Sequence, residues 1–391
     1  MSKQFETDLP LNETEILAEK PKKKKKKKKK SGAVSRFLRR TLLVIFTVVI
    51  IAAGGLVMIL NTVFNGPSEA ARDVLTMSLS EASATKWVPG IFLGDEKVAE
   101  IRNKSGAALE EEFSDASQVI INKDSALTAS DEWKDYPDGI RIEEYKGETY
   151  NAHIMIIRDP SQVYMATSTD GAFSTSVPGT RIHNEIVDEG AIAAINAGAF
   201  NDDGSANAYV GSIPAGLLIV DGEVKSNKYA NLVPEEGFAG FTFDNILVVA
   251  KSMTPEQAME LNIRDGCEFG PVLIMNGTVN QEAYNANSGY NPRTAIGQRA
   301  DGAVIFLCID GRQASSLGGT YRDIIDIMVE YGAVNACNMD GGSSSVMMYL
   351  DSRGLYGEAG EYVMINSYSL LQSEPRRMPN FWMVRPADEE G

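Results

Sequence analysis

An apolar stretch of twenty residues near the N-terminus constrains this chain more than any other feature. Residues 41–60 read TLLVIFTVVIIAAGGLVMIL, carry no charge, and are followed by no charged residue before Glu69. A helix needs about 20 such residues to cross the hydrocarbon core, where the backbone has to satisfy its own hydrogen bonds. The sequence therefore predicts a transmembrane helix over residues 41–64. The apolar segment is longer than that of a signal peptide, so we expect an uncleaved anchor.

The charges beside this segment predict its orientation. Residues 1–40 hold fourteen Lys and Arg, including the run from Lys22 to Lys30, against five Asp and Glu. Positive residues beside a span stay in the cytoplasm. We therefore expect a single-pass protein of the cell membrane, with a basic cytoplasmic tail over residues 1–40 and the larger part outside. The lysine run is a topology signal or, alternatively, a site of attraction to anionic inner-leaflet lipids.

The part of the chain beyond the tail is strongly acidic. The whole chain has 37 basic and 53 acidic residues, so residues 41–391 keep 23 basic and 48 acidic ones and a net charge of −25. Such a surface argues against nucleic acid as a broad electrostatic partner. An anionic substrate would have to be bound by local arginines against this field.

Cysteine and histidine are scarce, which excludes several kinds of site. Three cysteines, Cys267, Cys308 and Cys337, are too few for a disulfide framework, although a bond between the last two stays open. The two histidines, His153 and His183, make a histidine-rich zinc site implausible. The sequence predicts no cofactor, and it leaves a need for a divalent metal undecided.

Beyond the anchor, the composition separates a connecting segment from a compact domain. Residues 65–135 are interpreted as a partly helical stalk, with a helix from Ser68 to Leu79. Residues 139–388 are predicted to form a single domain of mixed, strand-rich α/β class, with one clear helix from Thr320 to Tyr331. Short apolar runs between turn signals predict strands at residues 152–157, 162–166, 191–195, 216–220, 246–250, 272–275, 303–309, 334–338 and 346–350.

Two aspartates follow the strands on either side of that helix. Asp310 ends AVIFLCI and Asp340 ends VNACNM, in the order strand, loop, helix, strand. A crossover of this kind makes two strands of one sheet parallel, so both aspartates should emerge at the same edge, where ligands bind in open sheets. The glycines after them, Gly311 and Gly341, would let a ligand approach the backbone. Eight Asp-Gly pairs lie between Asp138 and Asp340, however, and most are hairpin turns, so ordinary turn capping is an equal alternative.

Polar groups near these aspartates complete a candidate site. The loop of Gly341, Gly342, Ser343 and Ser344 offers N–H groups and hydroxyls to a sugar or a phosphate. A polar hairpin loop is the alternative. Arg293 and Arg312 are the cations that would hold a phosphate, or else they pair internally with an aspartate. Asn196 ends another strand beside glycine. The segment at residues 201–207 resembles part of a calcium loop without its closing glutamate, and is interpreted as a loop.

Taken in order, three segments resemble the phosphodiester glycosidase family. They are AINAGAFND with PAGLLIVDGEV, NPRTAIGQRADGAVIFLCIDGR, and VNACNMDGGSSSVM, and the closing EPRRMPNFWMV with Arg377 and Asn380 is also similar. The resemblance covers residues 150–385. Two departures, Asn196-Ala197-Gly198-Ala199-Phe200 for Asn-Gly-Gly-Phe-Phe and Ser343 for a third glycine, put the identity of the substrate in question.

The resemblance implies hydrolysis of the bond between an anomeric carbon and a phosphodiester oxygen. It implies Asp340 as nucleophile or base and Asp310 as its partner or as the group that orients Arg312. Substrate binding would involve Arg293, Arg312, Asn196, Thr294, Gly341, Gly342, Ser343 and Ser344. The partner is then a sugar phosphate or a phosphodiester-linked glycan, in the cell envelope or in exopolysaccharide.

Two other functions compete with this one. A non-catalytic glycan-binding or exopolysaccharide-biosynthesis accessory protein would keep the fold without turnover. A phosphodiesterase that cuts P–O would need a metal cluster rich in His and Asp, which two histidines make implausible.

Overall fold

The computed structural model describes most of the chain after the basic tail. The described residues are 31–80, 85–102, 109, 111–120, 133–201, 210–233, 236–368 and 374–387. By their internal contacts the residues divide into two units, Met1–Ile59 and Leu60–Gly391. The lysine run and nearly all of the segment that resembles a calcium loop lie outside the described residues.

The first helix, α1, carries the apolar stretch. It runs without a break over Ser31–Phe64, and the most apolar stretch of 18 residues within Phe37–Phe64 has a mean hydropathy of 2.9 and no buried residue. Within the described ranges, this is the helix whose length and composition would allow it to cross a membrane. The predicted span over residues 41–64 lies inside it.

The described part of the second unit contains seven further helices and seventeen strands. The helices are α2 (Glu69–Ser80), α3 (Val88–Leu93), α4 (Asp95–Arg102), α5 (Ile182–Asp188), α6 (Pro255–Glu260), α7 (Gln281–Asn285) and α8 (Tyr321–Glu330). The strands are β1 (Ile140–Lys146), β2 (Asn151–Ile157), β3 (Val163–Thr167), β4 (Ala193–Asn196), β5 (Gly216–Val220), β6 (Glu223–Lys228), β7 (Phe238–Thr242), β8 (Leu247–Ala250), β9 (Ile263–Glu268), β10 (Val272–Met275), β11 (Thr278–Val279), β12 (Arg293–Arg299), β13 (Val304–Ile309), β14 (Ala333–Met339), β15 (Met347–Asp351), β16 (Glu361–Met364) and β17 (Asn380–Val384).

These strands form three sheets around a shared core. The orders are β1-β2-β13-β12-β14-β10-β11, β16-β15-β4-β17-β3 and β6-β5-β9-β7-β8, and the paired neighbours are antiparallel. Phe306, Phe241 and Trp382, one from each sheet, belong to one buried cluster. The rings of Phe241 and Trp382 meet edge to face at 5.6 Å. The predicted mixed, strand-rich class is confirmed.

The apolar runs in the sequence become strands because both of their faces are buried. In β13, Val304, Phe306 and Cys308 face the shared core, while the alternate residues Ile305 and Leu307 pack against α8. Burying one such side chain contributes about 1.5–3 kcal/mol. All nine predicted strand runs are observed as strands, with small shifts at their ends.

Helix α8 begins and ends where the sequence indicates. Thr320 accepts the N–H of Asp323, and the Asp323 side chain accepts the N–H of Thr320, which satisfies two donors at the helix start. Gly332 follows the helix in the left-handed conformation, with φ of 80°. Ile324 and Met328, four residues apart, pack against the seven-stranded sheet.

The two strands joined by α8 are parallel, as predicted, and β12 lies between them. Strand β12 pairs antiparallel with both β13 and β14. Thr294 is opposite Cys308 on one side and Met339 on the other, so β13 and β14 end at the same edge of the sheet. Asp310 and Asp340 therefore emerge together.

The segment predicted to be a stalk contacts the domain at several described positions. Ser78 Oγ accepts the N–H of Tyr290 at 2.8 Å. The N–H of Ser114 donates to Val249 O at 2.9 Å, and the N–H of Ile120 donates to Ala300 O at 2.9 Å. Its boundaries, and those of the other predicted regions, stay predictions.

Candidate active site

Three backbone segments meet at the edge where β13 and β14 end. The N–H of Gly342 donates to Pro292 O at 2.8 Å. A Cβ on Gly311 would lie 2.7 Å from Pro292 Cδ, and one on Gly341 would lie 2.9 Å from Pro292 O. These two glycines are therefore required by the close passage of Pro292, the residue before β12. The space they leave is occupied by the chain itself, and a role for Gly341 in substrate binding stays a prediction.

Asp310 is a buried member of this edge, with 2% of its surface exposed. Its Oδ1 accepts the N–H of Ser367 at 2.8 Å and lies 3.3 Å from His153 Nε2. Its carbonyl accepts the Ser316 hydroxyl at 2.7 Å. Asp310 thus fixes three segments of chain. This environment favours the role of orienting neighbouring groups over direct attack on a substrate.

Asp340 is more accessible, because it is only partly buried. Its N–H donates to Ala197 O at 3.1 Å, and its carbonyl accepts Asn196 Nδ2 at 2.5 Å. The end of β4 therefore fixes the backbone of Asp340 from both sides. A rigid backbone and an accessible side chain are what a nucleophile or a general base needs.

Asn196 and Thr294 are wholly buried beside Asp340. Thr294 Oγ1 donates to Asn196 Oδ1 at 2.9 Å, and the same oxygen accepts the N–H of Val346 at 3.1 Å. One amide side chain thereby joins β4, β12 and both ends of the Asp340 loop. These contacts favour a positioning role, and direct contact with substrate stays a prediction for both residues.

Arg293 is also buried, and its guanidinium donates hydrogen bonds to main-chain carbonyl oxygens. Nε donates to Gly319 O at 3.2 Å, and Nη2 donates to Ser288 O at 2.6 Å and to Gly289 O at 3.1 Å. The guanidinium lies 4.5 Å from the centre of the Tyr321 ring. Arg293 thus holds the loop before β12 against the start of α8, and its predicted contact with substrate stays a prediction.

Arg312 reaches the glycine loop after Asp340. Its Nη2 donates to Asn291 Oδ1 at 3.2 Å and lies 3.4 Å from where a Cβ of Gly342 would be. Its backbone is left-handed, with φ of 57°. That conformation costs a residue with a side chain about 1 kcal/mol or more. Such strain in a short loop is typical of a side chain placed for function.

The loop itself forms a single 3-10 turn over Gly342–Ser344. The Ser343 carbonyl accepts the Tyr368 hydroxyl at 2.5 Å, and Ser343 Oγ accepts Arg376 Nη1 at 3.4 Å. Ser344 and Ser345 are buried, and their hydroxyls have no hydrogen-bond partner among the described residues. The turn therefore combines a flexible glycine, serine hydroxyls and two adjacent guanidinium groups.

Arg376 is the main residue that the sequence analysis missed. Its guanidinium lies 4.6 Å from the Phe200 ring, and its N–H donates to the Tyr368 hydroxyl at 3.2 Å. The neighbouring Arg377 instead donates to Gly179 O at 3.0 Å. Side chains two or four residues apart share a face in extended chain. Asn380 faces the site, because its Oδ1 accepts the N–H of Gly198. Arg376 lies four residues before Asn380, so this spacing would have favoured Arg376 over Arg377 as the residue that also faces the site.

Positive charge is concentrated around Tyr368. Burial raises the pKa of Tyr368, while a hydrogen bond from the backbone of Arg376 and the charges of Arg376, Arg181 and Arg312 oppose the rise. Three arginines therefore lie close enough to one phenol to act on it. This local field is the one the acidic domain would need in order to bind an anion.

The cysteines take no part in the chemistry of this edge. Cys267, Cys308 and Cys337 are all buried, unpaired thiols. Burial raises the pKa of each, and the charge of Asp310 raises that of Cys308 further. A protonated, buried thiol is neither a nucleophile nor a metal ligand.

Known proteins provide a comparison for this arrangement. Among solved structures, the catalytic domain of zebrafish N-acetylglucosamine-1-phosphodiester alpha-N-acetylglucosaminidase is 17% identical, with a TM-score of 0.49 over 63% of this chain and 82% of that chain. A hypothetical protein from Synechocystis is 14% identical, with a TM-score of 0.41 over 63% and 62%. A putative exported protein from Burkholderia pseudomallei is 15% identical, with a TM-score of 0.39 over 61% and 74%.

Sequence comparisons add two findings. The SPbeta prophage-derived uncharacterized protein YomE of Bacillus subtilis (strain 168) is 28% identical over 159 residues, which is 39% of this chain and 23% of that protein. The matched part thus spans less than a quarter of YomE. The model of the phosphodiester glycosidase family matches residues 189–385, just over half of the chain. That range contains every site residue predicted from the sequence, and Arg376.

Proposed function

Because this chain belongs to the phosphodiester glycosidase family, we propose that it is a membrane-anchored glycosidase acting outside the membrane. Its reaction is hydrolysis of the anomeric C–O bond of a sugar-1-phosphodiester in envelope or exopolysaccharide glycans. The observation that carries this proposal is the placement of Arg312 and Arg376 at Gly342 and Ser343, beside Asp340. The span α1 and the basic tail support the anchor and its orientation.

The two arginines bind the phosphodiester and stabilise its departure. A phosphodiester has one negative charge, and the monoester that leaves gains more as the C–O bond breaks. Guanidinium groups held in place before the reaction stabilise such developing charge without reorganisation. The hydroxyls of Ser343 and Ser344 and the N–H groups of the turn supply further donors.

Asp340 acts on the anomeric carbon. As the bond to the phosphate oxygen breaks with its electron pair, that carbon gains positive charge, which a carboxylate beside it stabilises. Asp340 either attacks the carbon or accepts a proton from the water that attacks. In both cases one water is consumed, its hydroxyl ends on the sugar, and its proton goes to solvent or to the phosphate monoester. Asp310 holds the surrounding loops and orients Arg312 through the turn that follows it.

Substitution of Asp340 by asparagine tests the reaction. The full-length chain in detergent micelles is incubated with UDP-N-acetylglucosamine and with phosphodiester-linked wall polymers, and free sugar is measured. We expect Asp340→Asn to lower turnover by about 10³-fold, since a catalytic carboxylate contributes 10²–10⁴-fold. Asp301→Asn is the matched control, because Asp301 lies in the exposed turn at the opposite end of the same sheet.

Hydrolysis in ¹⁸O-water identifies the bond that breaks. The phosphate product is analysed, because the anomeric oxygen of a free sugar exchanges with water. Unlabelled phosphate is expected from C–O cleavage, whereas labelled phosphate would mean P–O cleavage and would contradict the proposal. Tight glycan binding without turnover on the whole panel would favour the non-catalytic binding protein instead.

A further inference from the structure

The outer end of α1 is marked by a change from apolar to polar residues. The uncharged apolar stretch ends at Leu60, and Asn61 and Asn65 follow on the next turn. Asn65 Nδ2 donates to Asn61 Oδ1 at 2.9 Å. Asparagine side chains are costly in hydrocarbon, so these residues mark the level at which an anchored helix would leave it.

Helix α3 is fixed to this same level. The rings of Phe64, the last residue of α1, and Phe92 stack with centroids 5.0 Å apart and planes 16° apart. Phe64 is 1% exposed, so the contact is buried and close. Stacked aromatic rings of this kind add about 0.5–1.5 kcal/mol beyond their burial. Wherever the end of α1 lies, α3 lies beside it.

A different face of α3 presents large apolar side chains to solvent. Trp87, at the N-terminus of α3, is 63% exposed and Ile91 is 67% exposed. They are four residues apart, so they share one face of the helix. The other two tryptophans, Trp133 and Trp382, are buried, at 6% and 0%. Tryptophan is enriched at the boundary between lipid and water, where its ring meets both.

We infer that the face formed by Trp87 and Ile91 lies in the outer-leaflet interface and docks the base of the domain on the bilayer. The partner is the lipid surface itself, at the depth of the headgroups and the first acyl carbons. This inference rests on the proposed anchoring of α1. It adds a second contact, which limits how far the domain can tilt away from the membrane.

Docking also bears on the substrate, because α2 connects this level to the candidate site. The Ser78 hydroxyl, near the end of α2, accepts the N–H of Tyr290. Asn291, which follows Tyr290, accepts a hydrogen bond from the guanidinium of Arg312. From Phe64 to Ser78 there are four connecting residues and ten helical ones, a reach of at most about 30 Å. The site is thus held close to sugar phosphodiesters at the bilayer surface.

Tryptophan fluorescence tests the docking directly. The full-length chain is reconstituted in phosphatidylcholine vesicles that carry a nitroxide label either high or low on the acyl chain. We expect the shallow label to quench emission more than the deep one. Trp87→Phe should abolish this difference, because only the two buried tryptophans remain. Ile91→Ser should weaken the quenching while leaving the fold and hydrolysis of a soluble substrate unchanged.

Flotation of the same vesicles separates this inference from the proposals on which it rests. Protein that floats with vesicles, and whose Trp87 emission neither label quenches, would overturn the docking and leave the anchor in place. Protein that fails to float would overturn the anchor and the docking together. Hydrolysis of UDP-N-acetylglucosamine by the micellar protein tests the glycosidase proposal independently of either result.

Discussion

Arginine and acidic residues occur at both ends of the seven-stranded sheet, but they are arranged differently at each end. At the end away from the site, Arg141 pairs with Glu143 at 2.9 Å and Arg299 pairs with Asp301 at 2.7 Å. These residues, with Glu330 at the end of α8, line a surface depression of about 610 Å³. Each of these arginines thus has a neighbouring carboxylate two residues away in sequence.

At the site end, Arg312 and Arg376 reach the glycine loop after Asp340 from two different segments of the chain. Arg312 donates to the amide oxygen of Asn291, and Arg376 contacts the Phe200 ring and a serine hydroxyl. Arginine content alone therefore does not identify an anion site: at one end each arginine pairs with a carboxylate of its own segment, whereas at the other two arginines converge on a loop of glycine and serine.

Among the arginines at the two ends of the sheet, replacing Arg376 should cause the largest loss of activity. We expect Arg376→Gln to lower kcat/KM for a sugar-1-phosphodiester by about 10²–10³-fold, as for loss of one donor to developing charge. The effect should be mostly on kcat, because that charge appears during bond cleavage. Steady-state kinetics of the micellar protein measure it.

Two arginines serve as controls for Arg376. Arg322 lies 4.7 Å from the Tyr284 ring, a contact like that of Arg376 with Phe200, but on the exposed side of α8. Arg299 belongs to the far end. Arg322→Gln and Arg299→Gln should leave kcat/KM unchanged, and loss of the Arg299 pair should change stability by no more than about 0.5 kcal/mol. An equal loss of activity in all three variants would show that Arg376 has no special role in the reaction.

The two ends of the sheet also differ in their aspartates: the Asp310 carboxylate is buried, whereas that of Asp301 at the far end is exposed. Asp310→Asn keeps the shape but weakens the bond from the Ser367 N–H and the interaction with His153. We expect turnover to fall by about 10²-fold through misplacement of the loops, less than for Asp340→Asn. Circular dichroism and substrate titration would distinguish lost positioning from unfolding. Turnover at the level of Asp301→Asn would show that Asp310 only caps its turn.

Glu185 is a buried acid whose neighbours are themselves acidic. Burial, and next the charge of Glu189, raise the pKa of Glu185 on α5 to about 7. The folded state therefore favours protonated Glu185. The contribution of the protonated carboxyl to the stability of the fold is fully present below about pH 4.5 and is lost as the pH rises through 7. Glu185→Gln should stabilise the protein at pH 8 and not at pH 4, by about 1–2 kcal/mol once solvent screening of its carboxyl is allowed for.

Thermal unfolding of the micellar protein at several pH values measures this effect. The exposed Glu361 on β16 provides the control, and Glu361→Gln should leave the pH dependence of Tm as it is in the unsubstituted chain. A Glu185→Gln variant whose Tm follows that of the parent at every pH would contradict the assigned pKa.

Much of the fold was predictable because local pattern and burial agree. The runs that became β2, β5, β10 and β13 are apolar and bounded by turns, and α8 has both of its capping signals. Several other strands were not predicted, among them β1 and β6, in which charged residues interrupt the apolar pattern. Strand β12 was not among the predicted runs, because RTAIGQR is buried through hydrogen bonds as well as apolar contact.

The candidate site was predicted less evenly. The sequence predicted Asp310 and Asp340 at one edge because a crossover makes two strands of one sheet parallel, and this rule needs only the order of elements. It could not show that Asn196, Thr294 and Arg293 bond inward, because the direction of a polar side chain depends on which segments pack beside it. Arg376 was missed for the same reason, since it reaches Ser343 from 33 residues further along the chain.

The amino-acid sequence was enough to predict the apolar segment, the asymmetry of charge, the family motifs and the common edge of two aspartates. These follow from composition, spacing and chain order, which do not change on folding. Packing settled that Arg312 and Arg376 reach the glycine loop, that Pro292 fills the space beside Gly311 and Gly341, and that Phe64 holds α3. Each of these depends on contacts between segments far apart in sequence, which only packing brings together.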